Sequence, residues 1–250
     1  VYSGGKYTGS FTNLGKAPSY LIKDLYYYSF DGNYFYKDVT SMLDDYRAGV
    51  YSHSVNSNNP HYSYYLYLTA RSTSGYSASD LDSIIVNNGY NSSSKMYGTG
   101  SAFKEAEEKY GTNALLAFAT ALNESAWGTS SIAQSKNNLF GYGASDSCPS
   151  SCAYSYNTPR DSIMDYASKS STSYETVSGS YYYGSHYGNK SSGKNVMYAT
   201  DPYWGEKMAA YAYTRDLKFG GKDFNSNTIG VTKKGVSNVV VYRDASTNSP

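Results

Sequence analysis

The stretch from Asn113 to Gly128 limits the fold of this chain more than any other. Ala114 to Leu122 is apolar except for Thr120, and Leu115, Phe118, Ala119 and Leu122 recur at helical spacing. Asn113 is placed to cap such a helix, and Gly128 closes the run. The stripe predicts a core helix ending in a fixed carboxylate, within Asn123-Glu124-Ser125-Ala126-Trp127-Gly128. A carboxyl held against apolar surface keeps its proton to higher pH and can protonate a leaving-group oxygen. A solvated Glu at a helix end would look the same from this segment alone.

Other segments are less sharply marked. Tyr20 to Tyr28 reads as a compact buried element, and Val39 to Tyr46 as a short helix with an exposed Asp44-Asp45 pair. Tyr62 to Leu68 alternates weakly and fits strand or helix. Ser79-Asp80 before Leu81, Ile84 and Ile85 predicts a capped helix. Phe103, Ala106 and Tyr110 predict another, broken at Gly111. Asn138 to Asn157 reads as a β-hairpin with an elaborated tip, and Thr158-Pro159-Arg160-Asp161 as a capped helix start. Ser168 to Asn195 reads as a polar surface region, Asp201-Pro202 as the start of a last helix, and the chain beyond Phe219 as a linker.

Composition excludes more than it identifies. Tyr occupies 32 of 250 positions, charged residues make up 16%, and the net charge is +1. A tyrosine-rich surface suits hydrogen-bonding partners with stacking faces, sugars among them. No basic stripe calls for nucleic acid, and no apolar run is long enough for membrane insertion. Of the triplets Tyr26-Tyr27-Tyr28 and Tyr181-Tyr182-Tyr183, only part can share one face. Cys148 and Cys152 are the only cysteines, and His53, His61 and His186 lack ligand spacing, so no metal site is expected. The pair is either two thiols or a small disulfide, which in an exported protein would contribute about 2 kcal/mol. The chain opens at Val1 without an initiator Met or a signal sequence, and reads as a piece of a longer protein.

Two further segments change the odds on Glu124. They are Ser135-Lys136-Asn137-Asn138-Leu139-Phe140-Gly141 and Tyr198-Ala199-Thr200-Asp201-Pro202-Tyr203-Trp204-Gly205-Glu206-Lys207. With Asn123 to Gly128, in this order and spacing, they make residues 101 to 217 resemble glycoside hydrolase family 73, the peptidoglycan N-acetylglucosaminidases. A fainter likeness runs from Tyr62. The resemblance implies an α+β, mainly α fold: a lysozyme-like helical lobe, a small β-hairpin lobe and a substrate cleft between them. It implies an enzyme without cofactor, acting on the peptidoglycan glycan strand at the β-1,4 bond following N-acetylglucosamine. A secreted, monomeric protein at the bacterial cell wall is expected.

On this resemblance Glu124 matches the general acid and Trp127 an aromatic partner expected to support it. Asn138 and Phe140 match the turn opening the hairpin. Tyr198, Asp201, Tyr203 and Trp204 match a segment lining the cleft opposite the acid. The second catalytic group is Asp146 in the hairpin, Asp201, or the substrate's own acetamido group. Asp201 before Pro202 is also an ordinary helix cap, and Asp146 an ordinary turn residue; Glu175 and Glu206 are weaker candidates, Glu206 expected to be solvated. Carboxyls roughly 5–5.5 Å apart would indicate a retaining nucleophile, and about 6.5–9.5 Å room for a water. The expected organisation is an accessory region at 1–100, a catalytic domain at 101–220, and a linker with the start of a truncated Src-homology-3-like wall-binding repeat at 221–250. A muramidase, a lytic transglycosylase or a non-catalytic glycan-binding module would share this scaffold.

Overall fold

The computed structural model describes residues 2–3, 6–7, 12–144 and 148–231. Across them run α1 (Val39–Ala48), α2 (Tyr64–Tyr67), α3 (Ala78–Asn87), α4 (Gly100–Tyr110), α5 (Ala114–Glu124), α6 (Ser131–Lys136), α7 (Pro149–Cys152), α8 (Pro159–Lys169) and α9 (Trp204–Lys218). A π-helical turn follows α8 at Ser170–Tyr174, and a 3-10 turn spans Lys194–Val196. Strand among the described residues is confined to β1 (Tyr2–Ser3) paired antiparallel with β2 (Lys6–Tyr7), and to a bridge between Tyr28 and Tyr36. The fold is therefore mainly helical. Asp146 and the strand expected from Val239 lie outside the described residues.

Capping fixes the boundaries as the sequence suggests for α5 and α8, while α3 is capped at Ser77, two residues before the expected Ser79. The Asn113 side chain accepts from the Leu116 amide at 3.0 Å. Ser77 with Asp80 and Thr158 with Asp161 form reciprocal capping boxes, the latter with Pro159 in the first turn of α8. Gly111 ends α4 in the left-handed conformation at φ 71°. The short connection to α5 is clipped by Glu107, whose Oε1 accepts from Ser74 N at 2.8 Å and Ala114 N at 2.9 Å. A carboxylate at those free amides also opposes the positive end of α5.

Burial of α5 goes beyond the predicted stripe: every residue from Ala114 to Leu122 is buried. Such all-round burial belongs to a central helix, and α5 packs between α4 and α9. Phe118 meets Phe103 of α4 edge to face, with ring centroids 5.2 Å apart. The same core takes Leu81, Ile84 and Ile85 from α3, Ile163 and Ala167 from α8, Met208 and Ala212 from α9, and Tyr65, Leu66 and Leu68 at α2.

Several expectations fail for identifiable reasons. Tyr20 to Tyr28 forms no buried element; Ile22 and Leu25 are exposed and Tyr26 is 89% exposed. Asp45 is buried rather than exposed, accepting from His53 N at 2.8 Å and Ser52 Oγ at 3.0 Å. No hairpin strands form among the described residues of 138–157. The Asn138 side-chain amide donates to Tyr142 O at 2.9 Å and Tyr154 O at 3.0 Å, bridging the two arms from the side. One backbone bond, Tyr154 N to Tyr142 O at 2.8 Å, completes this loop. Cys148 and Cys152 are bonded to each other across the short α7.

The polar stretch after Ser168 is also not simply surface. Lys194 and Glu175 are fully buried and paired at 2.9 Å, with Ser170, Tyr166 and Thr112 completing their bonds. Beyond Phe219 the chain remains packed: Asp223 is buried and accepts from Gly75 N at 2.6 Å, and Phe224 meets Tyr64 and Tyr213 edge to face.

Candidate active site

The local chemistry of Asn123 to Gly128 holds the carboxylate of Glu124 at the end of α5. Ala126, Trp127 and Gly128 are three consecutive left-handed residues, at φ 48°, 61° and 75°. Two of them carry side chains, which costs about 1 kcal/mol or more each. Compensating bonds surround them. Buried Ser125 donates to Ala121 O at 2.6 Å and accepts from Gly128 N at 2.7 Å. Trp127 N reaches back to Leu122 O at 2.9 Å. Ser94 Oγ donates to Trp127 O at 2.6 Å, and Gly128 O accepts from Lys95 N at 3.0 Å and Gln134 Nε2 at 2.6 Å. At Gly128 a Cβ would lie 2.6 Å from Met96 N, so this close crossing requires glycine.

Glu124 itself is half-buried. Its Oε1 accepts from the indole Nε1 of Trp204 at 2.8 Å and from Asn123 Nδ2 at 3.2 Å, whereas Oε2 has no protein donor among the described residues. Burial raises the carboxyl pKa above its ordinary value; the Trp204 and Asn123 bonds oppose the rise, Asp201's charge adds to it and Lys207's opposes it. The result is a carboxyl that holds its proton longer than a solvated one.

The ring that supports Glu124 is thus Trp204, not Trp127. Trp204 opens α9, is 3% exposed, stacks on Tyr198 at 4.5 Å and meets Tyr187 edge to face at 5.6 Å. Trp127 stacks instead on Tyr90 at 5.1 Å and lies under the Arg215 guanidinium at 5.0 Å. The Tyr198 hydroxyl is buried and has no hydrogen-bond partner among the described residues, as is true of Tyr142. Burial holds the Tyr198 phenol well above its ordinary pKa, with the charges of Tyr142, Tyr166 and Glu124 contributing.

Asp201 has both oxygens engaged. Oδ1 accepts from Tyr203 N at 2.9 Å and Oδ2 from Lys207 Nζ, and the lysine holds its pKa below the ordinary range. Tyr203 is 65% exposed. Asn138 and Phe140, expected among substrate-binding residues, are buried. Asn138 spends its amide on its own loop, and the Phe140 ring stacks on Tyr166 at 3.9 Å, so their part is to hold that loop. Glu206 is not solvated: its Oε2 is buried without a partner, and burial raises its pKa. The structure therefore gathers Glu124, Tyr198, Asp201, Trp204 and Lys207, and leaves Trp127, Asn138 and Phe140 outside the group. The Trp204 donor and the Glu206 burial carried no signal in the sequence, because each depends on which elements α9 meets.

Among the described residues no cluster of His, Cys, Asp and Glu could hold a metal, and no helix is long and apolar enough to cross a membrane. A separate cavity of about 1030 Å³ lies between Tyr34, Tyr51 and Tyr62 on one side and Tyr182 and His186 on the other, away from Glu124. Burial lowers the His186 pKa to about 4, and its ring stacks on Tyr67 at 5.3 Å.

Known proteins are similar to much of this chain. The chain is 35% identical over 217 residues to a Streptococcus pneumoniae serotype 4 protein named for endo-β-N-acetylglucosaminidase activity, and equally to its counterpart from strain R6. These alignments cover 79% of this chain, which spans 31% and 29% of the length of the two relatives. Among solved structures, a catalytic mutant of S. aureus autolysin E in complex with the disaccharide NAG-NAM is 22% identical. It superposes with a TM-score of 0.48, over 62% of this chain and 73% of that one. A major bifunctional autolysin gives a TM-score of 0.45 at 21% identity, over 62% and 68%. The glucosaminidase profile, described as mannosyl-glycoprotein endo-β-N-acetylglucosaminidase, matches residues 100–217. Residues 100–217 are thus similar to the glucosaminidase family of glycoside hydrolases.

Proposed function

We propose that the protein hydrolyses peptidoglycan glycan strands at the β-1,4 bond following N-acetylglucosamine, with Glu124 as general acid. The observation that carries this reading is the state of Glu124: half-buried, raised in pKa, gripped through Oε1 alone and presented at a rigid helix end. A protonated carboxyl so placed gives its proton to the leaving oxygen as the oxocarbenium-like charge develops. The second step falls to Asp146 or to the substrate's acetamido group. Asp201, tied to Lys207 and the Tyr203 amide, is better suited to electrostatic support than to attack. Tyr198 and exposed Tyr203 line the sugar path, and Trp127 acts from behind. The hairpin lobe corresponds to the loop pinned by Asn138. The catalytic unit spans 101–220, with residues before it as an accessory region and the chain after 221 leading to a wall-binding repeat. The chemistry needs no cofactor, and the site of action is the cell wall of a bacterium, reached by secretion as a monomer.

The test is release of soluble fragments from purified cell walls. Glu124→Gln is expected to abolish it, and Asp146→Asn only to reduce it. Mass spectrometry of the wild-type products is expected to show reducing-end N-acetylglucosamine. Reducing-end N-acetylmuramic acid would make the protein a muramidase, and anhydro-muropeptides a lytic transglycosylase. Near-wild-type release by Glu124→Gln would remove the acid from its role.

A further inference from the structure

The cavity of about 1030 Å³ set apart from Glu124 draws its walls from three stretches of chain, residues 31–67, 182–192 and 229–231. The first lies before the stretch that matches the glucosaminidase profile and the last beyond it. None of Glu124, Tyr198, Asp201, Trp204 and Lys207 lines the cavity. Its volume is at the top of the range that ligand sites occupy, which gives room for an oligomer. Seams between separate chain segments are also where such sites are commonly found.

The wall offers ring faces and hydrogen-bonding edges with little charge. Tyr34, Tyr51, Tyr62, Tyr67 and Tyr182 contribute rings. Tyr51 is sandwiched between Tyr34, with centroids 3.7 Å apart, and Phe30 at 5.6 Å, which fixes the plane of Tyr34 and covers one of its faces. Tyr182 is half-buried, and no other ring covers it among the described residues. The polar wall is set in advance. Asn33 Nδ2 donates to the Tyr67 hydroxyl at 2.9 Å and to His61 O at 2.7 Å, while that hydroxyl donates back to Asn33 Oδ1 at 3.0 Å. A ligand meeting so fixed a wall loses little further freedom in the protein.

Charge narrows the ligand. No Lys or Arg lines the cavity, and Asp31 is its one carboxylate, with Oδ1 spent on Asn33 N at 2.8 Å and Tyr34 N at 3.1 Å. His186, its pKa lowered to about 4 by burial, is uncharged near neutral pH. An anion would therefore face Asp31 with no cation to pair with, and a wholly apolar ligand would strand the amides and hydroxyls. An uncharged sugar matches both parts of the wall, with apolar ring faces for the tyrosines and hydroxyls for the polar edges.

We propose that this cavity is a second, non-catalytic site for an uncharged oligosaccharide, which tethers the protein while Glu124 acts elsewhere on the polymer. The tethering rests on the proposed reading of Glu124, whereas the binding does not. Two points held on one polymer raise the effective concentration of the acid at its substrate without any new contact to the reacting bond. The strand being cut and a neutral polysaccharide beside it present the same chemistry to the cavity.

The test begins with binding. The Glu124→Gln protein is titrated calorimetrically with a tetramer of N-acetylglucosamine and with a β-1,4 tetramer of glucose. The first is expected to show a binding event that Tyr34→Leu and Tyr182→Ser each weaken about tenfold, the order of effect for losing one stacked ring. Tyr182→Ser removes a ring that no other ring covers, and a melting curve confirms the fold of each variant. Binding of the glucose tetramer at the same place supports a site for neutral polysaccharides in general; its failure to bind supports a site for the acetamido sugars of the wall. No binding of either tetramer, or binding indifferent to both substitutions, would overturn the inference. With Glu124 intact, the same substitutions are expected to raise KM on purified walls about tenfold with kcat unchanged, and to leave cleavage of a soluble tetrasaccharide as it was. An equal loss on the tetrasaccharide would also overturn it. Inactivity of the wild-type protein on both substrates would count against the catalytic reading and leave the binding result standing.

Discussion

On the proposed reading of Glu124 as general acid, the indole of Trp204 should set the pH range over which it acts, and Trp204→Phe tests this directly. The substitution keeps a ring against Tyr198 and Tyr187 but deletes the N–H that reaches Oε1 at 2.8 Å. A hydrogen bond to an ionised acceptor contributes about 1.5–3 kcal/mol and one to a neutral acceptor about 0.5–1.5 kcal/mol. The indole therefore favours the carboxylate over the acid by about 1–1.5 kcal/mol, and 1.36 kcal/mol corresponds to one pH unit. A general acid works while protonated, so activity is present below its folded-state pKa and lost as pH rises through it. Removing the indole deepens a rise already caused by burial. The alkaline limb of the rate profile on purified walls should move up by about one pH unit. Asn123 remains to orient the carboxyl, and a melting curve confirms the fold. An alkaline limb that stays in place or moves to lower pH would refute the argument, since either result means that the indole does not stabilise the ionised form.

Two further outcomes concern stability. Lys194→Met leaves Glu175 charged and buried without its partner, which costs about 3–5 kcal/mol; at about 2–4 °C per kcal/mol the melting temperature should fall by roughly 6–20 °C. The double variant Lys194→Met, Glu175→Gln should recover part of that loss in calorimetry, and a single variant as stable as wild type would contradict the burial of the pair. Gly128→Ala brings a Cβ to 2.6 Å from Met96 N at a φ of 75°, and should cost roughly 2 kcal/mol or more in chemical denaturation. Wall hydrolysis should decline with it, because the same crossing fixes the end of α5.

What the sequence discloses follows from how local each signal is. Helices α3, α5 and α8 were legible because their caps and apolar faces lie within a dozen residues; Asn113 and Thr158 cap as expected, while in α3 the cap falls on Ser77 because Asp80 closes its box there rather than with Ser79. The Asn138 loop misled because alternating Tyr142, Tyr154 and Tyr156 satisfy a strand pattern, while its arms share one backbone bond, Tyr154 N to Tyr142 O, and are bridged by a side-chain amide. Lys194 and Glu175 sit in a stretch of Ser, Tyr and Gly that reads as surface; only their tertiary pairing makes the segment core. The Glu124 motif was legible as a motif but not as a structure. Its left-handed turn depends in part on Ser94 and Lys95, which arrive from a separate loop to bond its carbonyls.

The site is thus a chain of dependencies running away from the acid. Glu124 is gripped by Trp204, Trp204 stacks on Tyr198, and the amide of Tyr198 is held by Lys194 O at 2.9 Å. Lys194 in turn is anchored to Glu175 at the end of the π-helical turn. A buried ion pair is weak evidence for stability by itself, since an apolar pair of equal volume can serve as well or better. Here its geometric consequence is specific: it fixes the segment whose last members are Tyr198 and Asp201. If that is its role, the double variant, assayed at a temperature where it stays folded, should still cleave walls more slowly than wild type, with kcat affected more than KM. Full activity of the folded double variant would show that the pair serves the fold alone, and that Tyr198 and Trp204 hold Glu124 without it.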